Sequence, residues 1–273
     1  MNGENMIGAD AVARTLAAIR ARGPLVHNIT NIVAANTTAN ALLAIGASPA
    51  MVEGIEEVEE FVAIADSLVV NLGTMTVARA EAMRRAAAQA AAIARPWVLD
   101  PVAVGVLAYR TNLAADLLRF RPTAIRGNGS EVLANAGEPG AGRGVDSGAA
   151  SDTAIAAARR LAAHTGSVVA VTGAVDYITN GARTIACRNG HPMMTRVTAM
   201  GCTATAIVGA CIAVEPDALA ATAHGLAMIG VAGEIAAQRS RGPGSLQTEL
   251  LDALYRLDAA TLSARTRLEW LPL

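Results

Sequence analysis

Short apolar runs alternate with longer amphipathic runs along most of the chain, a pattern typical of alternating β-strands and α-helices. The predicted strands are residues 24–29, 48–52, 67–72, 97–100, 123–126 and 167–172. The predicted helices are residues 10–21, with Asp10 as N-cap, and 34–45, 56–65, 77–93, 113–120 and 151–164, with Ser151 as N-cap. Apolar strands separated by amphipathic helices form a parallel sheet that is covered on both faces. The pattern therefore predicts an α/β fold with a mostly parallel central sheet.

Several segments depart from this alternation. Residues 177–186 have the pattern of a β-hairpin whose Asn180-Gly181 pair forms a primed turn, and residues 193–197 are predicted to be extended. Residues 137–148 contain five glycines and no hydrophobic periodicity, which predicts a surface loop. From residue 201 the chain is predicted to be mainly helical to about residue 257. Because no repeat or linker divides the sequence, we expect a single domain over residues 1–273.

The composition of the chain argues against several classes of function. Hydrophobic residues make up 53% of the chain, which allows a large core. The net charge of −1 and the scattered basic residues argue against binding of nucleic acid or of an anionic membrane. The three cysteines, Cys187, Cys202 and Cys211, have the spacing of neither a disulfide framework nor a zinc site.

The sequence also predicts a cytoplasmic protein. The N-terminus lacks the basic and apolar regions of a signal peptide. The longest weakly polar stretch, residues 204–214, is shorter than the ~20 residues that span a bilayer. We expect partner subunits to cover part of the apolar surplus.

A turn of small residues at 198–205 precedes an apolar run that is predicted to be a buried helix. A helix N-terminus presents unpaired backbone N–H groups and the positive end of the helix dipole, which together favour anions. Cys202 is the one side chain of this turn suited to act as a nucleophile or base. The turn therefore suggests an anion site around Gly201 and Cys202. The alternative is a tight turn that serves packing alone.

Polar residues and glycines collect at the predicted carboxyl ends of the strands. They are Asn28, Thr30, Asn31, Asn71, Gly73, Asp100, Arg126, Asn128, Glu131, Thr172, Gly173, Asp176, Gly201 and Cys202. Ligands of open α/β sheets bind beyond these ends. Each residue alone has an ordinary explanation as a cap or turn residue. Their joint occurrence favours a shared binding site.

One of these groups, residues 126–131, has the composition of a magnesium site. Asn128 and Glu131 offer oxygen ligands three residues apart at the start of a predicted helix, and Asp100 offers a second carboxylate. Mg²⁺ prefers such oxygens, keeps several waters and often bridges a carboxylate and substrate phosphates. The alternative is a helix cap in which Asn128 or Ser130 bonds the first turn. The two interpretations are compatible.

Two common nucleotide-binding motifs are missing from the sequence. Without a Gly-x-x-x-x-Gly-Lys-Ser/Thr loop, a P-loop ATPase is excluded. Without a strand-borne Gly-x-Gly-x-x-Gly and a following carboxylate, a dinucleotide oxidoreductase is disfavoured.

Five short motifs follow one another along the chain. They are His27-Asn28-Ile29-Thr30-Asn31, Leu99-Asp100-Pro101-Val102, Arg126-Gly127-Asn128-x-Ser130-Glu131, Val171-Thr172-Gly173-x-x-Asp176 and Gly201-Cys202. Together they resemble the motifs of the hydroxyethylthiazole kinases, a family of the ribokinase-like superfamily that acts in thiamine salvage. The resemblance extends from about residue 10 to about residue 260.

This resemblance implies a three-layer α/β/α ribokinase-like fold without a separate lid domain. It implies an enzyme that uses ATP and Mg²⁺ to phosphorylate 4-methyl-5-(2-hydroxyethyl)thiazole, in a homotrimer whose thiazole sites lie between subunits. The residues implied are Met51, Asn28 and the backbone of Ala199 for the thiazole; Arg126, Thr172 and Gly173 for ATP; Asn128, Glu131 and Asp100 for Mg²⁺; and Gly201 and Cys202 for the anion hole. Cys202 stands where related sugar kinases have an aspartate base.

The sequence departs from the family at Ala199, where most members have glycine, and more mildly at Gly129. If the backbone at position 199 needs a positive φ, alanine adds strain that would shift substrate fit or lower activity. Two other functions stay open. One is a different ribokinase-like enzyme, such as a hydroxymethylpyrimidine kinase or an NAD(P)H-hydrate dehydratase, against which the 27–31 segment and Cys202 argue. The other is a catalytically idle thiazole- or nucleotide-binding protein.

Overall fold

The structure is a computed structural model that describes residues 6–138 and 148–272. Most of the predicted loop at 137–148 lies outside the described residues, as does the side chain of Ser151, which was predicted to cap a helix.

A single nine-stranded sheet holds all the strands of the described residues, in the order β2-β1-β3-β4-β5-β6-β7-β8-β9. The strands are β1 (Leu25–Ile29), β2 (Ser48–Ala50), β3 (Ser67–Asn71), β4 (Trp97–Asp100), β5 (Ala124–Asn128), β6 (Val168–Thr172), β7 (Asp176–Thr179), β8 (Thr184–Cys187) and β9 (Leu268–Trp270). Strands β1 to β6 are parallel, and β7, β8 and β9 add antiparallel pairs at one edge. The prediction of a mostly parallel sheet is confirmed.

Helices cover both faces of this sheet. They are α1 (Ala9–Arg22), α2 (Ala35–Ile45), α3 (Val58–Ile64), α4 (Val77–Ala92), α5 (Ala108–Leu118), α6 (Gly129–Asn135), α7 (Gly148–Thr165), α8 (Met200–Ile212), α9 (Ala218–Arg239), α10 (Pro243–Arg256) and α11 (Ala259–Arg265). Helices α1, α2 and α8 to α11 share one apolar core with the sheet, and α3 to α7 share the other. Neighbouring strand residues divide between the cores, Val69 facing the first and Val70 the second. The three-layer α/β/α arrangement is therefore confirmed.

Helix α8 packs closely against the middle of the sheet. A Cβ added at Gly209 would lie 2.6 Å from Cγ2 of Val69 on β3, so only glycine allows this approach. Ser67 of β3 donates a hydrogen bond to the Gly209 carbonyl over 2.8 Å. These contacts fix the helix under β1 and β3 and so place its N-terminus at the carboxyl ends of the strands.

Strand β1 lies between β2 and β3 in the sheet. The chain therefore places β2 on one side of β1 and then β3 on the opposite side. Such a switch in direction opens a crevice at the carboxyl ends of the strands, where ligands of doubly wound sheets bind. In this chain the crevice lies beyond the ends of β1 and β3, beside the N-terminus of α8.

Several local predictions were wrong. Residues 192–196 form a 3-10 helix instead of a strand, because Pro192 lies in its first turn and the His191 side chain accepts a hydrogen bond from the Met193 amide. Gly8 is the N-cap of α1, so Asp10 lies in the first turn instead of capping it. The hairpin predicted at residues 177–186 is confirmed by the antiparallel pairing of β7 and β8, but Asn180 lacks the positive φ that an Asn-Gly primed turn requires of both residues, and its side chain accepts from two amides of the loop instead.

The longest apolar stretch was also misplaced. Among the described residues, α9 is long and apolar enough to cross a membrane by length and composition, whereas residues 204–214 are too short. However, 83% of the apolar window of α9 is buried inside the protein, against the sheet and neighbouring helices. Burial of this kind is what a core helix shows.

Candidate active site

The anion turn predicted around Gly201 forms the start of α8. Its N-cap, Ala199, has a left-handed backbone with φ of 68° and ψ of −2°, which confirms the positive φ considered for this position. Within the described residues no side chain caps this helix, so the first-turn N–H groups of α8 lack a side-chain acceptor there. A Cβ at Gly201 would lie 2.6 Å from Nη1 of Arg126. The missing side chain therefore lets a guanidinium lie directly against the helix N-terminus.

Cys202, in the first turn of α8, contacts two asparagines from the strand ends. Its Sγ accepts hydrogen bonds from Nδ2 of Asn31, over 3.2 Å, and from Nδ2 of Asn71, over 3.3 Å. Burial, and secondarily the charge of Asp100, raises the pKa of the Cys202 thiol, while the two asparagines and Arg126 oppose the rise. The protein therefore holds a neutral thiol, which is a weak base, in a polar cage formed by Asn31 and Asn71.

Asp100 lies at the end of β4, next to this cage, and is only 1% exposed. Its Oδ2 accepts from Nδ2 of Asn71 over 2.7 Å and from the hydroxyl of Thr205 over 2.9 Å. Burial raises the pKa of Asp100, and the charge of Arg126 is the largest of the effects that lower it. The carboxyl is thus held by α8 and β3 together.

Two of the three residues predicted to bind Mg²⁺, Asn128 and Glu131, form a capping box at the start of α6. Asn128 Oδ1 accepts from the Glu131 amide over 2.9 Å, and Glu131 Oε2 accepts from the Asn128 amide over 2.9 Å. The other Glu131 oxygen accepts from the Ala103 amide over 3.0 Å. Burial raises the pKa of Glu131, and the nearby charge of Asp100 adds to the rise. The capping alternative is therefore realised, and it leaves one lone pair on each Glu131 oxygen available for water or a cation.

Arg126 lies on β5 among three carboxyl groups. Its charge acts to lower the pKa of Asp100, Glu131 and Asp176. Within the described part of the chain its Nε is buried without a hydrogen-bond partner. A guanidinium with unspent donors beside an uncapped helix N-terminus is suited to phosphate.

Thr172 and Gly173 lie beside Arg126, at the end of the neighbouring strand. Thr172 pairs in register with Asn128, and its hydroxyl donates to the Gly127 carbonyl over 3.2 Å. The Gly173 amide donates to Oδ1 of Asp176 over 2.9 Å, which closes the turn into β7. Burial raises the pKa of Asp176 to about 6. The structure thus brings the predicted ATP residues together with the predicted metal residues.

The predicted thiazole residues lie on the other side of the crevice. Met51 follows β2 and is half-buried. Asn28 is buried within β1, where its Nδ2 donates to the Val26 carbonyl over 2.8 Å; among the described residues its Oδ1 has no partner. Neither side chain contacts Cys202 through a hydrogen bond within the described chain.

Four residues of this region were given no individual role by sequence reasoning. Asn71 was noted only as a polar strand-end residue, Asn31 also as the last residue of the 27–31 motif, and Thr205 only as part of the small-residue turn. Arg79 of α4 was missed: its guanidinium pairs with Glu53 over 2.7 Å and donates to the Thr30 carbonyl, tying the loops after β1 and β2 together. The feature that sets Arg79 apart is its burial, which the structure shows and the sequence does not.

Comparison with known proteins decides which family this geometry belongs to. The model of the hydroxyethylthiazole kinase family matches residues 16–260. The chain belongs to this family. It is 62% identical over 252 residues to the hydroxyethylthiazole kinase of Granulibacter bethesdensis, a match that covers 92% of each chain. It is 51% identical to the hydroxyethylthiazole kinase of Tolumonas auensis, over 93% of this chain and 96% of that one.

Solved structures agree with the family assignment. The hydroxyethylthiazole kinase protein of Pyrococcus horikoshii OT3 superposes with a TM-score of 0.89 at 38% identity, over 96% of this chain and 99% of that one. A ribokinase-like superfamily protein of Enterococcus faecalis V583 superposes with a TM-score of 0.63 at 13% identity, over 89% of each chain. The pyridoxal kinase of Staphylococcus aureus in complex with pyridoxal gives 0.61 at 15% identity, over 91% of this chain and 98% of that one. The two distant likenesses concern the fold alone and confirm that it is ribokinase-like.

Proposed function

We propose that this hydroxyethylthiazole kinase family member transfers the γ-phosphoryl group of ATP to the hydroxyl of 4-methyl-5-(2-hydroxyethyl)thiazole, in thiamine salvage. The observation that carries the proposal is the junction of Arg126 with the uncapped N-terminus of α8 at Gly201. Phosphoryl transfer depends mainly on positioning and on stabilising charge at the transferred group. Backbone N–H groups and a guanidinium that converge on one point supply that stabilisation.

The ATP side of the crevice is assigned to β5, β6 and the start of α8. Arg126 neutralises phosphate oxygens, while Thr172 and Gly173 at the end of β6 contact the nucleotide. The amides around Gly201 and Cys202 form the anion hole for the charge on the γ-phosphoryl group. Burial raises the pKa of the Cys202 thiol, so in the free enzyme this neutral side chain serves first to shape the hole.

Mg²⁺ is proposed as the cofactor, and the donor set fits it. Glu131 keeps a lone pair on each carboxylate oxygen beyond its two amide bonds, and within the described chain the Asp100 carboxyl accepts hydrogen bonds at Oδ2 and none at Oδ1. Asn128 Oδ1 already accepts from both the Glu131 amide and the Ser130 hydroxyl, so its part in this site would be to hold Glu131 in place. When bound, the ion supplies positive charge at the phosphates. Its contacts with Asp100 and Glu131 would be made partly through water, as Mg²⁺ commonly prefers.

The thiazole alcohol is assigned to the side of the crevice that holds Met51, the Asn28–Asn31 segment and the backbone of Ala199. This side adjoins the Cys202 cage through Asn31, whose amide contacts the sulfur. An alcohol bound there would reach the anion hole from the side opposite Arg126.

A homotrimer with sites between subunits is part of the proposal. Large apolar side chains that follow the carboxyl ends of β1, β3 and β4 are exposed, including Ile32 at 73%, Val77 at 78% and Val106 at 68%. Exposed apolar residues gathered at one edge favour a subunit contact, and this edge is the one that holds the crevice. We further propose that residues 1–273 form one kinase domain and that the enzyme works in the cytoplasm.

An ADP-release assay with different acceptors tests the proposed activity. With ATP and Mg²⁺, we expect ADP to form with the thiazole alcohol and to stay at background with hydroxymethylpyrimidine or without an acceptor. Turnover only with the pyrimidine would make the chain a different ribokinase-like enzyme. Binding of the thiazole alcohol by calorimetry without ADP release would make it an idle binding protein.

A further inference from the structure

The amide groups of Asn31 and Asn71 have orientations that the backbone dictates. Oδ1 of Asn71 accepts from the Gly73 amide over 3.0 Å, and Oδ1 of Asn31 accepts from the Ala34 amide over 3.0 Å. Because a backbone N–H can only donate, each oxygen must face its amide and each Nδ2 must face the opposite way. The direction of both side chains toward Cys202 is therefore fixed.

Every hydrogen of these two amides has a partner. Asn71 Nδ2 donates to Asp100 Oδ2 over 2.7 Å and to Cys202 Sγ over 3.3 Å. Asn31 Nδ2 donates to Asn71 Oδ1 over 2.9 Å and to Cys202 Sγ over 3.2 Å. The sulfur thus receives two N–H donors, and any proton on it must point away from both asparagines.

We infer that Asn31 and Asn71 are positioning residues, which hold the side-chain atom at position 202 as a hydrogen-bond acceptor and direct it toward the alcohol. This inference rests on the proposed function, since it concerns the acceptor side of the same reaction. Two donors stabilise an acceptor most when it carries negative charge. The cage is therefore suited to an anionic atom at position 202, whether a thiolate or the carboxylate that related sugar kinases have there.

Two charged groups also affect the ionisation of Cys202, and their effect must be distinguished from that of the two asparagines. Asp100 on β4 disfavours the thiolate, while Arg126 on β5 favours it. Asn71 also donates a hydrogen bond to Asp100, whereas within the described chain Asn31 bonds the sulfur and Asn71 but not Asp100. Variants of Asn31 therefore report the cage with the carboxylate left in place.

The test measures the ionisation of Cys202 by its alkylation with iodoacetamide as a function of pH, in wild type, Asn31→Ala, Asn31→Ser and Asn71→Ala. Cys187 and Cys211 are buried and serve as internal references, and mass spectrometry of the Cys202 peptide follows the reaction. Serine can still cap the Ala34 amide but cannot reach the sulfur, so it covers the case in which alanine fails to fold. The control is Asn40→Ala, an exposed asparagine of α2 that bonds only Asn36 among the described residues.

We expect the midpoint of alkylation to rise by about one pH unit in the Asn31 and Asn71 variants and to stay unchanged in Asn40→Ala. A change in the rate alone, with the wild-type midpoint kept in a folded Asn31 variant, would overturn the inference, because lost packing changes access but not ionisation. In kinase assays, kcat should fall roughly 10-fold while the KM for ATP stays the same. If the wild type fails to phosphorylate the alcohol, the proposed function fails, and the alkylation result still decides whether the cage exists.

Discussion

Ala199 and His27 are residues whose local conformation or environment has a direct energetic cost. Ala199 adopts a left-handed backbone at the start of α8, where a Cβ is disfavoured. His27 is fully buried on β1, with Nε2–H donating to the Val52 carbonyl over 2.7 Å and the ring packed edge-on against Phe61. Each effect can be measured apart from activity.

Replacing Ala199 with glycine should stabilise the protein by about 0.5–1 kcal/mol, because the left-handed conformation costs glycine little. Urea unfolding measures the change. Ala204→Gly, in the helical part of α8, is the matched control and should destabilise the protein. Equal losses of stability in both variants would mean that position 199 is not strained.

The ionisation of His27 should make stability depend on pH. Burial lowers the pKa of His27 from 6.5 to about 4. The unfolded chain therefore binds the proton more readily between these values, and the free energy of unfolding falls as the pH falls from about 6.5 to about 4. Compared with His27→Gln, which can still donate to Val52, the wild type should lose about 3 kcal/mol across this range. If the free energy of unfolding changed with pH in the same way in both proteins, His27 would not be the source of the pH dependence.

At the scale of elements, α6 joins the fold to the proposed metal site. The same Glu131 side chain completes the capping box and accepts from the Ala103 amide, so it connects the loop after β4 to the end of β5. The sequence presented capping and metal binding as compatible alternatives. The structure shows the capping contacts, and a carboxylate that is already fixed by two amides is well placed to orient a hydrated cation.

Glu131→Gln should lower the free energy of unfolding by about 1–2 kcal/mol, since only one oxygen remains to accept from two amides. It should also lower kcat and weaken the Mg²⁺ dependence of activity, with thiazole binding nearly unchanged. Glu56→Gln, at an exposed position without hydrogen bonds among the described residues, controls for the loss of charge. A destabilised variant whose activity keeps the normal Mg²⁺ dependence would show that Glu131 serves only as a helix cap.

Hydrophobic periodicity predicted the elements of the parallel sheet because buried strands and amphipathic helices leave strong local patterns. It failed where long-range pairing or caps decide the structure. Strand β9 is short and exists through its pairing with β8, and the 3-10 helix at residues 192–196 depends on the His191 cap. For the site, strand-end polar residues indicated where the crevice would form. The cage of Asn31, Asn71 and Cys202 could not be predicted from the sequence. It depends on how the ends of β1 and β3 and the first turn of α8 are positioned relative to one another in three dimensions.

At the scale of the whole molecule, the crevice and the exposed apolar side chains occupy the same edge of the sheet. The switch in chain direction at β1 opens the crevice there, and the segments that follow β1, β3 and β4 expose Ile32, Val77 and Val106. A subunit contact at this edge would close the crevice with residues of a neighbouring copy. Assembly and catalysis would then be coupled.

Val77→Asp should convert the proposed trimer into monomers, because a charge would have to be buried at the contact. Sedimentation at assay concentration measures the outcome. Tyr255→Asp on α10, at a position 72% exposed, is the control and should leave the assembly unchanged. A fully active wild-type monomer would rule out sites between subunits.

The most direct test of the account asks whether this crevice carries out the phosphorylation. The measurement is formation of the phosphorylated thiazole alcohol, identified by mass spectrometry, for wild type, Gly201→Ala and Gly244→Ala. A methyl group at position 201 would lie 2.6 Å from the Arg126 guanidinium, whereas one at position 244 of α10 would meet no atom of the described residues within 4 Å. We predict product from wild type and Gly244→Ala at similar rates, and at a rate lower by roughly 10-fold or more from a folded Gly201→Ala. Equal rates from all three proteins would contradict the assignment of phosphoryl transfer to the Arg126–Gly201 junction.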